Sequence, residues 1–116
     1  MNRLIKAFTS SLAAIRFGWK NETALRQELV LLVIAIPVGL LLTSSAWKLL
    51  ALWGSSLIIL AVEFLNTGIE KLADRVTTEH DELIGIAKDC GSAAVLMALI
   101  LALSVWSLAF WQWLFA

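Results

Sequence analysis

Apolar and polar positions follow one another in blocks along this chain. In RLIKAFTSSLAAIRFGWK, residues 3–20, Ile5, Phe8, Leu12, Ile15 and Trp19 recur at steps of three and four, which predicts one apolar stripe on a helix. Arg3, Lys6, Arg16 and Lys20 lie mostly off that stripe. A basic amphipathic helix with Trp and Phe on its apolar side is suited to lie in a membrane interface. Packing on the protein's own bundle is the other reading, and the two are compatible. The polar stretch NETALRQE follows, with Asn21 as the expected N-cap of a new helix and acids in its first turns.

Three long uncharged runs come next. Leu29 to Trp47 is nineteen residues, and about 20 are needed to cross a bilayer. Pro37 inside it is expected to kink the helix. Thr43-Ser44-Ser45 begins a short turn, with Trp47 and Lys48 as interface anchors. The second run, Leu49 to Val62, ends at Glu63, and its helix is expected to continue to about Thr77. TTEHDE, residues 77–82, reads as a loop in which Thr78 and Asp81 loosely resemble a capping pair. The third run carries no charge from Cys90 to Ala116. It opens on Gly91, Ser92, Ala93 and Ala94, small residues that allow close helix approach, and ends in the aromatic group Trp106, Phe110, Trp111, Trp113 and Phe115.

Composition agrees with a membrane protein. The chain is 60% hydrophobic and 16% charged, against about 45–50% and about 25% in typical soluble domains. Its 116 residues make one domain, with no room for a separate soluble catalytic unit. No cleavable signal peptide is apparent, since the first long apolar run is already long enough to span. The single cysteine, Cys90, excludes an intrachain disulfide framework and is expected to be a small buried residue.

The net charge of zero conceals a segregation. Arg3, Lys6, Arg16, Lys20 and Arg26 precede the first span; Lys71, Arg75 and Lys88 lie between the second and third; only Lys48 faces the other side. The positive-inside rule therefore places the N-terminus and the 70–89 region in the cytoplasm and the C-terminus outside. All nine acids fall on the same cytoplasmic half, counting Glu63 at its edge.

Glu63 opens a column. At about 100° per residue, Glu70 returns to about −20° of Glu63, Asp74 to about +20° and Asn66 to about −60°. Glu63 and Glu70 are then about 10 Å apart along the axis, which suits an extended reaction with a lipid acceptor at one end and polyphosphate with metal at the other. A carboxylate at membrane depth is costly and is a functional candidate by default, here a general base. A glutamate that merely sets helix register would leave the other polar groups of the column unexplained. Lys88 and Asp89 sit at the mouth of the third span, where a lysine can meet phosphates as a point charge. Glu22 adds a carboxylate at the start of the first span, and Mg²⁺ prefers one or two carboxylates with substrate phosphates and waters. Lys88 and Glu22 could equally be solvated surface charges. His80, the sole histidine, lies in a polar loop. There is neither a G-x-x-x-x-G-K-[ST] nor a G-x-G-x-x-G phosphate motif.

VEFLNTGIEKLADR followed by EHDELIGIAKDCGSAAV, with NETALRQE upstream, resembles the prokaryotic diacylglycerol kinase family of small three-span membrane enzymes. The resemblance covers nearly the whole chain. It implies an all-α homotrimer in the bacterial inner membrane, with an N-terminal amphipathic surface helix over 1–20. It places transmembrane helices at about 28–47, 48–69 and 90–114, with a cytoplasmic active-site segment at 70–89. It implies transfer of the ATP γ-phosphoryl group to diacylglycerol with Mg²⁺ as cofactor. By the same resemblance Glu63 is the general base, assisted by Asn66 and Lys88, and Glu22 and Glu70 hold metal. Arg3, Ser10, Glu22, Glu70, Glu79, His80, Asp81, Lys88 and Asp89 match nucleotide positions. Arg3, Arg16, Trp19, Ala24, Leu25, Arg26, Gln27, Glu28, Glu63, Ser92 and Trp106 match positions that line the lipid site.

Two departures bear on the adenine contacts and leave the acid–base and metal positions intact. The loop reads Glu79-His80-Asp81-Glu82 where the family commonly has E-Y-H-E, and Ile86 stands where better-known members carry arginine. Undecaprenol kinase, of the same family and mechanism, is the alternative; the GSAAV and DELIG segments favour diacylglycerol. A non-enzymatic membrane subunit would explain the column as a polar lining but not the clustering of Lys88, Glu22 and Glu70.

Overall fold

The computed structural model describes residues 2–116, and every regular element in them is an α-helix. The order is α1 (Asn2–Asn21), α2 (Thr23–Leu42), α3 (Ala46–Val76) and α4 (Glu82–Phe115). The last three are long and apolar enough to cross a membrane.

A single residue joins α1 to α2. Glu22 is extended, at φ −123° and ψ 112°, and makes no side-chain cap bond. Asn21, the expected N-cap, instead ends α1, and its Nδ2 donates to the Phe17 carbonyl at 3.1 Å. Arg26 reaches back from α2, and its Nε donates to the Trp19 carbonyl at 2.8 Å. A guanidinium there satisfies an otherwise orphaned carbonyl and complements the negative end of the helix. Gly18 permits the close approach: a Cβ at this position would sit 2.8 Å from Leu25 Cδ1 and 3.4 Å from Phe64. Leu25 is consequently 1% exposed, and the end of α1 is pinned to both α2 and α3. This seating also starts α2 at Thr23, ahead of the uncharged run at Leu29.

Pro37 lies inside α2, which stays helical through it. A turn of three residues, 43–45, leads into α3, where Ser45 is the N-cap and accepts from Lys48 N at 3.4 Å. Gly39 lets Trp53 of α3 lie against α2, so that Trp53 Nε1 donates to the Ala35 carbonyl at 3.0 Å. α3 then runs for 31 residues without a break, roughly 46 Å at 1.5 Å per residue. After the loop, Asp81 alone is the N-cap of α4 and accepts from Ile84 N at 3.0 Å. Thr78 takes no part in this cap; Thr77 Oγ1 instead accepts from Glu79 N at 3.1 Å. Residues 70–76 thus continue α3 and residues 82–89 open α4, so the polar 70–89 stretch is two helix ends and a short loop.

α3 is the central element and packs against both α2 and α4. Ile59 of α3 meets Ala98 and Ala102 of α4, with Val62, Leu99 and Trp106 around them. Small residues bring the backbones close, which in a membrane gains dispersion contacts where no hydrophobic driving force separates helix from lipid. Trp106 Nε1 donates to Ser56 Oγ at 3.1 Å, and that hydroxyl donates to the Leu52 carbonyl. Large apolar side chains cover the outside, Leu41, Trp47 and Leu103 among them. Cys90, expected inside, is exposed, because its neighbour Gly91 occupies the packed face of α4.

Candidate functional site

The C-terminal half of α3 and the first turns of α4 carry the charged groups of the site, and the α1–α2 joint supplies one more. On α3 the column has the predicted spacing: Asn66 Nδ2 faces Glu70 Oε1 at 3.4 Å, one turn along. Asn66 Oδ1 is buried and has no hydrogen-bond partner. It rests against Gly91 of α4, where an added Cβ would collide with it. The small residue that opens the third uncharged run therefore seats the site's amide.

Two ion pairs tie the elements together. Lys88 of α4 donates to Asp74 Oδ1 of α3 at 2.8 Å, both side chains being substantially exposed. Lys71 of α3 lies 2.9 Å from Glu22 Oε1 at the α1–α2 joint. The Lys71 ammonium also stands 5.7 Å from the centre of the Phe17 ring, within the range of a cation–π contact. Glu63 is half-buried, and its charge reaches both Glu28 of α2 and Glu70. Among the described residues Glu28, Glu63 and Glu70 have no ion-pair partner. Negative charge on this face is thus incompletely neutralised.

That donor set fits a divalent cation carried in by a polyphosphate. No three His, Cys, Asp or Glu side chains among the described residues converge into a metal cage. Mg²⁺ does not require one, since it keeps waters and takes substrate phosphates. Glu70, which among the described residues has no ion-pair partner, and Glu22, which already holds an ammonium, are hard oxygen donors of the right kind.

Other sequence-predicted residues fall in different places. Glu28 opens a groove of about 330 Å³ between α2, α3 and α4, lined by Ala35, Val38, Ile59 and Ala102 and reaching Ser56 and Trp106. Arg16 and Trp19 border a wider apolar groove with Leu12, Ile15, Leu29 and Val33. Arg3, Ser10, Ala24, Gln27 and Ser92 are exposed. Glu79, His80 and Asp89 are exposed as well. Leu25 and Arg26 do not line a cavity: Leu25 is buried beneath Gly18, and Arg26 caps α1. The Asp81 carboxylate is engaged as the cap of α4. Sequence reasoning missed the roles of Lys71 and Gly91. Lys71 lies one residue off the column, so helical arithmetic excluded it, and its partner comes from a distant part of the chain.

A sequence model of the prokaryotic diacylglycerol kinase family matches residues 9–110. The chain is 41% identical over 110 residues to the diacylglycerol kinase of Escherichia coli strain K12, covering 95% of this chain and 90% of that protein. It is 39% identical to the diacylglycerol kinase of Haemophilus influenzae, over 91% of this chain and 90% of that one. For the diacylglycerol kinase of Pseudomonas aeruginosa the identity is 37%, over 92% and 87%. These similarities extend across the three apolar helices and the charged column between them, and the chain belongs to the prokaryotic diacylglycerol kinase family.

Proposed function

We propose that this protein transfers the γ-phosphoryl group of ATP to the primary hydroxyl of diacylglycerol, giving phosphatidate at the cytoplasmic face of the bacterial inner membrane. The observation that carries the reading is the column Glu63, Asn66 and Glu70 on α3, in a chain of this family, ending beside two lysines. A lipid hydroxyl arrives at the membrane interface, and Glu63 is the deepest acid of that column.

In this reaction the acceptor oxygen attacks the γ-phosphorus, its O–H proton passes to the Glu63 carboxylate, and the bond from the γ-phosphorus to the β-bridging oxygen breaks to release ADP. Phosphoryl transfer depends mainly on positioning and charge neutralisation. Lys88 supplies positive charge to the phosphates, which it can do by exchanging its exposed contact with Asp74 for them. Asn66, held by Gly91 and bonded to Glu70, fixes the geometry between base and phosphate end. Glu22 and Glu70 would hold Mg²⁺, which when bound would neutralise phosphate charge. Arg3 and Ser10 would extend the nucleotide site, together with Glu79, His80, Asp81 and Asp89. The grooves beside Trp19 and below Glu28 would receive acyl chains.

A homotrimer fits this reading, since a single copy leaves much apolar surface uncovered. α1 would lie on the membrane surface, with its N-terminus cytoplasmic as the basic residues require. Purified protein in mixed micelles with γ-labelled ATP and Mg²⁺ tests the function. Label is expected in diacylglycerol, with little in undecaprenol. Preferential labelling of undecaprenol would replace the acceptor, and labelling of neither lipid would remove the kinase assignment.

A further inference from the structure

The Lys71–Glu22 ion pair has a consequence for metal loading that rests on the proposed role of Glu22. The ammonium lies 2.9 Å from the very carboxylate that would take the divalent cation. Phe17 of α1 also presents its ring to the same nitrogen. The lysine is not structurally fixed in that position: its side chain is 58% exposed, against 27% for the glutamate. It can swing away on its flexible stem without unpacking a helix. Glu70 and Asp74 both lie close enough for its charge to act on them.

We propose that Lys71 is an internal competitor for the metal, occupying Glu22 until a divalent cation displaces it and so setting the cation concentration at which the site fills. The ammonium stands on Glu22 Oε1, so a divalent cation taking this carboxylate meets a positive charge already beside it. Repulsion between the two cations favours breaking the Glu22–Lys71 contact and moving the ammonium aside on loading. The displaced lysine stays tethered one residue from Glu70, near the phosphates of the incoming nucleotide, so its charge is relocated rather than lost.

The test reads cation binding directly, in assembled protein without lipid. Free Mn²⁺ is counted by electron paramagnetic resonance as it is titrated into protein saturated with a non-hydrolysable ATP analogue. An exposed pair of this kind is modest, so Lys71→Met should lower the half-loading Mn²⁺ concentration roughly two- to fivefold. Lys71→Arg should load close to the wild-type concentration, because it keeps the competing charge. In the Glu22→Gln background, the shift from Lys71→Met should shrink to what removing its charge does at Glu70. Unchanged or weaker Mn²⁺ binding in Lys71→Met overturns the proposal, as does an equal shift in the presence of Glu22→Gln. If Glu22→Gln alone leaves Mn²⁺ binding untouched, the ligand role of Glu22 fails, and the competition falls with it. The lipid phosphorylation assay reports separately on the kinase reading.

Discussion

Asn66 is seated by a residue with no side chain of its own. Its amide nitrogen is committed to Glu70, and its oxygen is pressed against Gly91 with no partner. Gly91→Ala should leave α4 intact, since alanine favours helix over glycine by about 1 kcal/mol. The added methyl has to push the Asn66 amide off its seat. Misplacement of a site group by about an ångström can cost around 10²-fold. Turnover should therefore fall roughly ten- to a hundredfold, with nucleotide affinity retained. Steady-state kinetics alongside nucleotide titration checks this, and wild-type turnover in an assembled Gly91→Ala protein would contradict it. The column itself was legible from the sequence, because Glu63, Asn66 and Glu70 share one continuous helix and 100° steps place them. The Glu22–Lys71 pair was not, since it depends on how the one-residue joint turns α1 and α2 against α3. Gly91 was legible only as a small residue permitting close approach; that it meets Asn66 needed the register of α4 against α3.

Between elements, α3 and α4 are tied by an apolar seam, by the exposed Lys88–Asp74 pair and by one hydrogen bond within the apolar part. Trp106 gives its indole hydrogen to Ser56, whose hydroxyl also bonds its own helix. Trp106→Phe removes the link but leaves the serine oxygen satisfied. The expected loss is small, about 0.6 and at most about 1.7 kcal/mol, as measured for interhelical hydrogen bonds in membranes. Denaturation in mixed micelles reads it, and a loss several times larger would mean that the indole is a packing keystone instead. Helix α1 permits a sharper separation of roles. Its last turn is structural, because Gly18 seats Leu25 and the Trp19 carbonyl is capped by Arg26. The preceding turns expose their apolar side chains. Deleting residues 1–15 should raise the lipid KM severalfold in surface-dilution kinetics, with a smaller loss of nucleotide affinity from the removal of Arg3 and Ser10. Reduced nucleotide affinity with an unchanged lipid KM would make α1 a lid on the nucleotide. The extent of α1 followed from its stripe, to within a residue or two. Its junction did not, because Asn21 has the chemistry of an N-cap yet is used to close the preceding helix.

For the whole molecule, the segregation of charge decides where chemistry can happen. The three apolar helices carry almost no ionisable groups along their outer halves, and Lys48 is the exception at that end. The acids converge at the opposite end, around the second α3–α4 half and the α1–α2 joint. A molecule built this way can bring a water-soluble polyphosphate and a membrane-bound alcohol to one helix from opposite directions. The three long apolar helices were readable from block lengths alone, whereas the contacts among the charged ends required the packed structure. In the proposed reaction the deepest acid of the column, Glu63, accepts the proton of the lipid hydroxyl. Single-turnover transfer of labelled γ-phosphate from ATP to diacylglycerol, compared between wild-type and Glu63→Gln protein of equal assembly and nucleotide affinity, tests it most directly. The account predicts a transfer rate lower by about 10²–10⁴-fold in Glu63→Gln, the usual loss on removing a general base. Transfer at the wild-type rate would contradict it and move the proton to another group.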